Sequence, residues 1–179
     1  MIELKNILYK VTLEAVVGNT SVTINAIQFD SRKVSDKDLF VAIKGTVVDG
    51  HTFIESVIEK GAKAIICEDI PDELNDEVTY IKVDNSARAL AIIASNFYGI
   101  PSENLKLVGV TGTNGKTSVA GFVRQLLAGL GHKSASAGTL GVELAGFDQE
   151  AVPVLKGAYN LTTPDSVDLP RTRPLVTAC

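Results

Sequence analysis

Apolar residues fall in short runs along this chain, and the runs alternate between helical and strand spacing. From Glu3 to Lys10, Leu4, Ile7 and Leu8 share one helical face. Val22 to Phe29 reads as a strand, with Val22, Ile24, Ala26 and Ile27 in imperfect alternation, and the polar cluster Asp30-Ser31-Arg32-Lys33 closes it. "LFVAIKG" predicts a second strand ending at Gly45. Val48-Asp49-Gly50-His51 is then a turn into a helix carrying Phe53, Ile54, Val57 and Ile58, which Gly61 terminates. "AKAIICE" and "VTYIKV" are buried strands on either side of the acidic surface loop "DIPDELND". Ser86 is placed to cap a further helix, whose Ala87, Leu90, Ala91, Ala94 and Phe97 recur at helical spacing up to Tyr98-Gly99. Strands alternating with helices in this way define an α/β fold.

The pattern restarts after Gly99-Ile100-Pro101-Ser102, which predicts one domain over residues 1–100 and another over 101–179. In the second, the strand "LKLVGV" leads through a glycine-rich stretch to a helix from about Thr117 to Leu130, with Gly131 as its terminator and a strand near Ser134 to Gly138. Val119, Phe122, Val123, Leu126, Leu127 and Leu130 form an apolar stripe expected to pack on a sheet. Beyond Gly141 the pattern weakens, and Pro164, Pro170 and Pro174 interrupt the last stretch. A doubly wound domain needs several βα units, so this second unit is expected to be cut short.

Composition narrows the classes. Of 179 residues, 45% are apolar and 21% charged, a balance that suits a folded core rather than a disordered chain. The net charge of −4 argues against broad nucleic-acid or anionic-membrane binding. No run approaches the length of a membrane span. The cysteines, Cys67 and Cys179, support neither a disulfide framework nor a thiolate zinc site, so a soluble cytoplasmic protein is expected.

The glycine-rich stretch "VGVTGTNGKTS", residues 108–118, carries the most specific chemistry. A loop entering a helix offers free backbone N–H groups with the positive end of the helix dipole behind them, which is what a phosphate needs. Gly112 and Gly115 permit the tight path, Lys116 can reach terminal phosphates, and Thr117 can place its hydroxyl on a magnesium ion. The spacing departs from the standard G-x-x-x-x-G-K-[ST] pattern, because Val110 stands where the first glycine should be. A plain structural turn explains the glycines but not the Lys-Thr pair. His51 and His132 have no second ligand at metal spacing and read as helix-end or surface residues.

These residues resemble the Mur ligases, the ATP-dependent amino-acid-adding enzymes of peptidoglycan synthesis. The loop is similar to their ATP loop, with Ser118 where a threonine is usual. "FDSRKVSDKDLFVAIKGTVVDGHTFIESVIEKGAKAIICE" resembles the N-terminal uridine-nucleotide-binding domain of the members that add the third residue of the peptide stem. "NFYGIPSENLKLVGVTGTNGKTS" resembles the junction into the central ATPase domain, and "AGTLG" with "NLTTPD" the segment beyond it. The fourth-step ligase is the main rival, and a non-catalytic nucleotide-binding module is the alternative of another class.

The resemblance implies a small N-terminal α/β domain for the uridine nucleotide, followed by the start of a P-loop-type ATPase domain. It implies that Gly112, Thr113, Asn114, Gly115, Lys116, Thr117 and Ser118 hold ATP, with Lys116 catalytic and Thr117 on Mg2+. Phe29 and Ser31 would contact the uridine nucleotide, with Thr46, Val47 and Val48 lining the same pocket and Thr162 and Thr163 holding the muramoyl-peptide. Without the resemblance, Asp30-Ser31-Arg32 is a polar turn and Thr162-Thr163 an extended segment before Pro164. The implied reaction joins UDP-N-acetylmuramoyl-L-Ala-D-Glu to diaminopimelate or lysine through an acyl phosphate, in a monomer with no nucleic-acid partner and no membrane insertion. After Val167 the sequence leaves the family pattern, so the chain is expected to be a fragment that does not catalyse ligation by itself.

Overall fold

The computed structural model describes residues 1–45, 48–100, 103 and 105–146. The chain falls into two compact units, Met1–Gly99 and Ile100–Cys179. In chain order the first contains β1 (Ile2–Glu3), α1 (Leu4–Ile7), β2 (Ala15–Val17), β3 (Thr23–Ile24), β4 (Ile27–Gln28) and β5 (Leu39–Val41). A 3-10 turn (Gly50–Phe53) leads into α2 (Ile54–Glu59), followed by β6 (Ala64–Cys67), β7 (Thr79–Lys82) and α3 (Ser86–Phe97). Strands β4, β5, β6 and β7 pair in parallel, and β2 adds antiparallel to the β7 edge, giving the order β2-β7-β6-β5-β4.

The sheet is covered on both faces, as runs like Ala64-Ile65-Ile66-Cys67 require. Phe40, Ala42, Ile65, Cys67 and Tyr80 pack with Ile54 and Val57 of α2. Strand alternation sends Leu39, Val41, Ile66 and Ile81 to the opposite face, where they are equally buried. That leaves Leu4 and Ile7 of α1 and Leu90 and Ile93 of α3, all buried, as the helical cover there. Asn96 ties the two helix ends together, its amide donating to the carbonyls of Ile7 at 2.9 Å and Tyr9 at 2.6 Å.

The α/β expectation holds, with local corrections. The strand expected over Val22 to Phe29 breaks at Asn25 and Ala26. Asn25 spends its backbone N–H on Lys37 O at 2.9 Å and its side-chain amide on Asp36 O at 3.0 Å. The chain there leaves β3, which among the described residues pairs with β1, and enters the larger sheet as β4. Ser86 does not cap α3. Asn85 does, its side chain accepting from Arg88 N–H at 2.7 Å. Ala87 and Ala91, assigned to the apolar face of α3, are exposed, and Ala89 and Ile93 are buried instead. Phe53 likewise stays exposed beside buried Ile54 and Val57.

The second unit contains α4 (Lys116–Gly129) and the antiparallel pair β8 (Ser134–Gly138) and β9 (Gly141–Ala145). Residues 105–110, expected as a strand, are not one: a parallel strand exists only through ladder partners, and among the described residues of this unit β8 and β9 pair with each other. Helix α4 begins at Lys116, one residue earlier than expected, and rests on the hairpin by one side. Arg124 donates to Leu144 O at 3.1 Å and to Glu143 Oε2 at 3.2 Å, and Ser134 Oγ donates to Arg124 O at 2.9 Å. The expected stripe therefore divides. Val123 and Leu127 are half-buried, whereas Val119, Phe122, Leu126 and Leu130 face outward.

Candidate functional site

In the first unit the parallel strands deliver their polar residues to one edge. Phe29 to Arg32 follow β4, Lys44, Gly45 and Val48 to His51 follow β5, Glu68 and Asp69 follow β6, and Asn85-Ser86 follow β7. Open parallel sheets hold ligands beyond the carboxyl ends of their strands because loops and helix starts converge there. Of the residues the sequence marks for the nucleotide, Phe29 and Ser31 lie after β4 and Val48 after the adjacent β5. Phe29 and Val48 are exposed, and Ser31 is half-buried. Thr46 and Val47 lie outside the described residues, as do Thr162 and Thr163.

The turn after β4 is locked from within. Arg32 grips Asp30 through Nε to Oδ1 at 2.9 Å and Nη2 to Oδ2 at 2.8 Å, while its backbone N–H donates to Oδ1 at 3.0 Å. The guanidinium's hydrogen bonds hold the Asp30 carboxyl down at about 2. Lys60, at the end of α2, donates from Nζ to Ser31 O at 2.7 Å and fixes the turn from outside. Sequence reasoning missed Lys60, since nothing local links residues 29 positions apart. It also read His51 as a helix-end or surface residue, whereas both ring nitrogens are engaged, Nδ1 with Asp49 Oδ1 at 2.6 Å and Nε2 with the Glu68 N–H at 2.9 Å. Glu68 in turn takes the backbone N–H of Ser86 at 2.9 Å and its hydroxyl at 2.8 Å, which lowers the carboxyl's pKa, the backbone bond most. Ser86 is thus a buried donor to the Glu68 carboxylate, not the cap of its helix.

In the second unit, Gly112 to Ser118 are all exposed. Gly115 sits at φ 78°, a left-handed position that suits glycine, and it makes the entry to α4 with no side-chain cap. Among the described residues, no acceptor takes a hydrogen bond from the backbone N–H groups of Gly112 to Ser118. The Lys116 ammonium turns back over the loop, donating to Gly112 O at 2.6 Å and Thr113 O at 3.3 Å. Open amides at a helix start, with an ammonium held on the same arc, are a donor set for an anion. Thr117 Oγ1 lies 3.4 Å from Thr139 Oγ1.

The model of the Mur ligase family, catalytic domain, matches residues 23–98, and that of the Mur ligase middle domain matches residues 110–176. The chain belongs to the Mur ligase family. Its curated relatives include the UDP-N-acetylmuramoyl-L-alanyl-D-glutamate--2,6-diaminopimelate ligase of Cytophaga hutchinsonii, 46% identical over 168 residues, which are 93% of this chain and 33% of that protein. The enzyme of the same name from Parabacteroides distasonis is 43% identical over 167 residues, 93% of this chain and 33% of that one. This Mur ligase chain therefore spans about a third of the length of the curated relatives it matches. A solved structure of a UDP-N-acetylmuramoyl-L-alanyl-D-glutamate--2,6-diaminopimelate ligase matches 99% of this chain and 34% of its own at a TM-score of 0.67 and 20% identity, which shows a shared fold.

Within this Mur ligase chain the loop residues fit a nucleotide's phosphates, by their free amides and their ammonium group. For a magnesium ion the described residues offer the Thr117 hydroxyl but no group of three or more His, Cys, Asp or Glu side chains. No helix among the described residues is long and apolar enough to cross a membrane.

Proposed function

We propose that this chain is the nucleotide-recognising portion of an ATP-dependent ligase that adds the third amino acid to UDP-N-acetylmuramoyl-L-alanyl-D-glutamate. The observation that carries the reading is the arc of unclaimed amides from Gly112 to Ser118 with the Lys116 ammonium folded over it. The names of the relatives supply the substrate, and of diaminopimelate and lysine they favour diaminopimelate.

In this reading Phe29, Ser31, Thr46, Val47 and Val48 hold the uridine nucleotide at the carboxyl edge of the first unit's sheet, and Thr162 and Thr163 hold the muramoyl-peptide. Gly112 to Ser118 hold ATP, and the Thr117 hydroxyl is the ligand this segment offers to magnesium. ATP supplies the phosphoryl group that activates a carboxylate for amide formation. Lys116 and the loop amides neutralise charge on the phosphates, and the chain supplies no nucleophile of its own for this step. The Lys116 ammonium must leave the carbonyls of Gly112 and Thr113 to do so, an exchange of neutral acceptors for anionic ones that favours the bound state. We assign the protein to the cytoplasm as a monomer.

Titration calorimetry of this chain with UDP-N-acetylmuramoyl-L-Ala-D-Glu, and separately with ATP and magnesium, tests the reading. Saturable binding of the uridine-sugar nucleotide is the expected result. A chain that binds ATP and ignores the uridine-sugar nucleotide is a nucleotide-binding module of another kind, and the reading is then wrong.

A further inference from the structure

The His51 side chain joins Asp49, Glu68 and Asp69 on the carboxyl edge, and no role above uses it. Its Nδ1 lies 2.6 Å from Asp49 Oδ1, and its Nε2 accepts the N–H of Glu68 at 2.9 Å and, less directly, that of Asp69 at 3.4 Å. The side chain is 14% exposed. A backbone N–H can only donate, so Nε2 presents a lone pair and the ring proton sits on Nδ1, facing the carboxylate. The contacts on both sides of the ring thus select the tautomer with its proton on Nδ1.

The consequence is mechanical. Asp49 Oδ1 also accepts the backbone N–H of His51 at 2.9 Å, so the start of the 3-10 turn closes on itself. Val48 is held beside it, its carbonyl taking the N–H of Gly45 at 3.1 Å, and Gly50 N–H returns to Ile43 O at 2.8 Å. Among the described residues, Nε2 ties this turn to the neighbouring strand end, beside the ion pair of Lys44 with Asp69 at 3.0 Å. Beyond it, Glu68 passes the connection to Ser86 at the start of α3. One chain of hydrogen bonds, from Asp49 through His51 and Glu68 to Ser86, thus spans the ends of β5, β6 and β7.

We infer that His51 is a positioning residue that holds the Val48 turn against the end of β6, so that nucleotide binding at this edge requires an unprotonated Nε2. The inference rests on the reading of this edge as the uridine-nucleotide site. A proton on Nε2 would set N–H against the N–H groups of Glu68 and Asp69, and both contacts would be lost while the bond to Asp49 stayed. The charged groups facing the ring are Asp49 on its own turn and Glu68 and Asp69 from the end of β6, with Lys44 paired to Asp69 at 3.0 Å. None of them can replace the two amide contacts, so the turn and not the sheet yields.

Two measurements on this chain decide it. Nitrogen-15 NMR of the His51 ring should show the neutral tautomer protonated at Nδ1, and the Glu68 and Asp69 amide signals should move together when the pH is lowered from about 8 to about 5. Calorimetry with UDP-N-acetylmuramoyl-L-Ala-D-Glu over the same range should show wild-type affinity falling at least about fivefold toward acid, on the scale of one lost hydrogen bond. His51→Ala should bind about tenfold more weakly at the alkaline end and show no such fall. His51→Gln, whose amide oxygen can still accept from Glu68, should recover most of the affinity and also lose the pH dependence. A ring protonated at Nε2, or a wild-type pH profile identical to that of His51→Gln, overturns the inference. If the wild type binds no uridine-sugar nucleotide at any pH, the site reading fails. The clamp is then judged on the amide signals alone, which move if it exists and stay fixed if it does not.

Discussion

The two units dispose of apolar surface in opposite ways. In the first, consecutive residues of β5 and β6 are buried whichever face they point to, and Ile65 has no exposed surface. In the second, α4 buries no residue fully, and Phe122, Leu126 and Leu130 are 70%, 66% and 67% exposed. A helix of this length draws most of its stability from packing an apolar face, so α4 in the described structure depends on Arg124, the hairpin and its own hydrogen bonds. Truncating a side chain should therefore matter in one unit and hardly at all in the other. Ile65→Ala should cost the first unit about 2–5 kcal/mol, the range for a large aliphatic removed from a close-packed site. Phe122→Ala should change the second by no more than about 0.5 kcal/mol. Urea unfolding followed by amide exchange, read separately for each unit, checks both, and comparable losses would erase the contrast.

Polar groups divide the other way. The turn at Asp30 engages both its carboxylate oxygens with Arg32, whereas among the described residues nothing claims the backbone donors of the loop from Gly112, and Lys116 is parked on two carbonyls. Satisfied groups hold a shape, and open donors wait for a ligand. In the chain extended to the length of its relatives, Lys116→Ala should lower ligation turnover by about 10² or more, the scale of one preorganised donor removed. Steady-state rates that differ by less than about threefold would mean that this ammonium is not used.

Helix starts sharpen the same contrast. Asn85 caps α3 through its side chain, while α4 starts at Gly115 with none. Asn85→Ala should destabilise the first unit by about 1 kcal/mol, measured by thermal or urea melting. A loss near zero would mean that the bonds from Ser86 to Glu68 already hold that helix end.

What the residues revealed beforehand follows from which forces act locally. Leu4, Ile7 and Leu8 showed their helical face because branched apolar side chains seldom line up by chance, and all are buried. Ala87 and Ala91 misled because alanine is content on either face. Strand β2 gave no signal at all, since its three residues are exposed and its place is set by backbone pairing with β7. The start of α4 was legible because Gly115, Lys116 and Thr117 are contiguous. The chain from His51 to Glu68 and on to Ser86 was not, because its links span 17 and 18 residues and depend on the sheet for their meeting.

The smallest effect concerns the turn that the first unit closes on itself. Asp30 has its pKa lowered from 3.8 to about 2, chiefly by the side-chain hydrogen bonds of Arg32, with its backbone N–H and the nearby charge of Lys33 adding to them. A carboxyl with a lower folded than unfolded pKa favours the folded state only while ionised, so its contribution is complete above the unfolded value and disappears as pH falls through the folded one. Arg32 is 86% exposed, so solvent screens the pair and the gain is slight. Arg32→Ala should lower the urea midpoint of the first unit by a small amount that is constant above about pH 5 and shrinks to nothing as pH falls from about 4 to about 2. A gap between wild type and variant that persisted at the acid end would show that Arg32 acts through its aliphatic stem and not through Asp30. The turn would then owe its shape to the Lys60 bond from α2, and the first unit would resemble the second in leaving its candidate site to be ordered by what binds there.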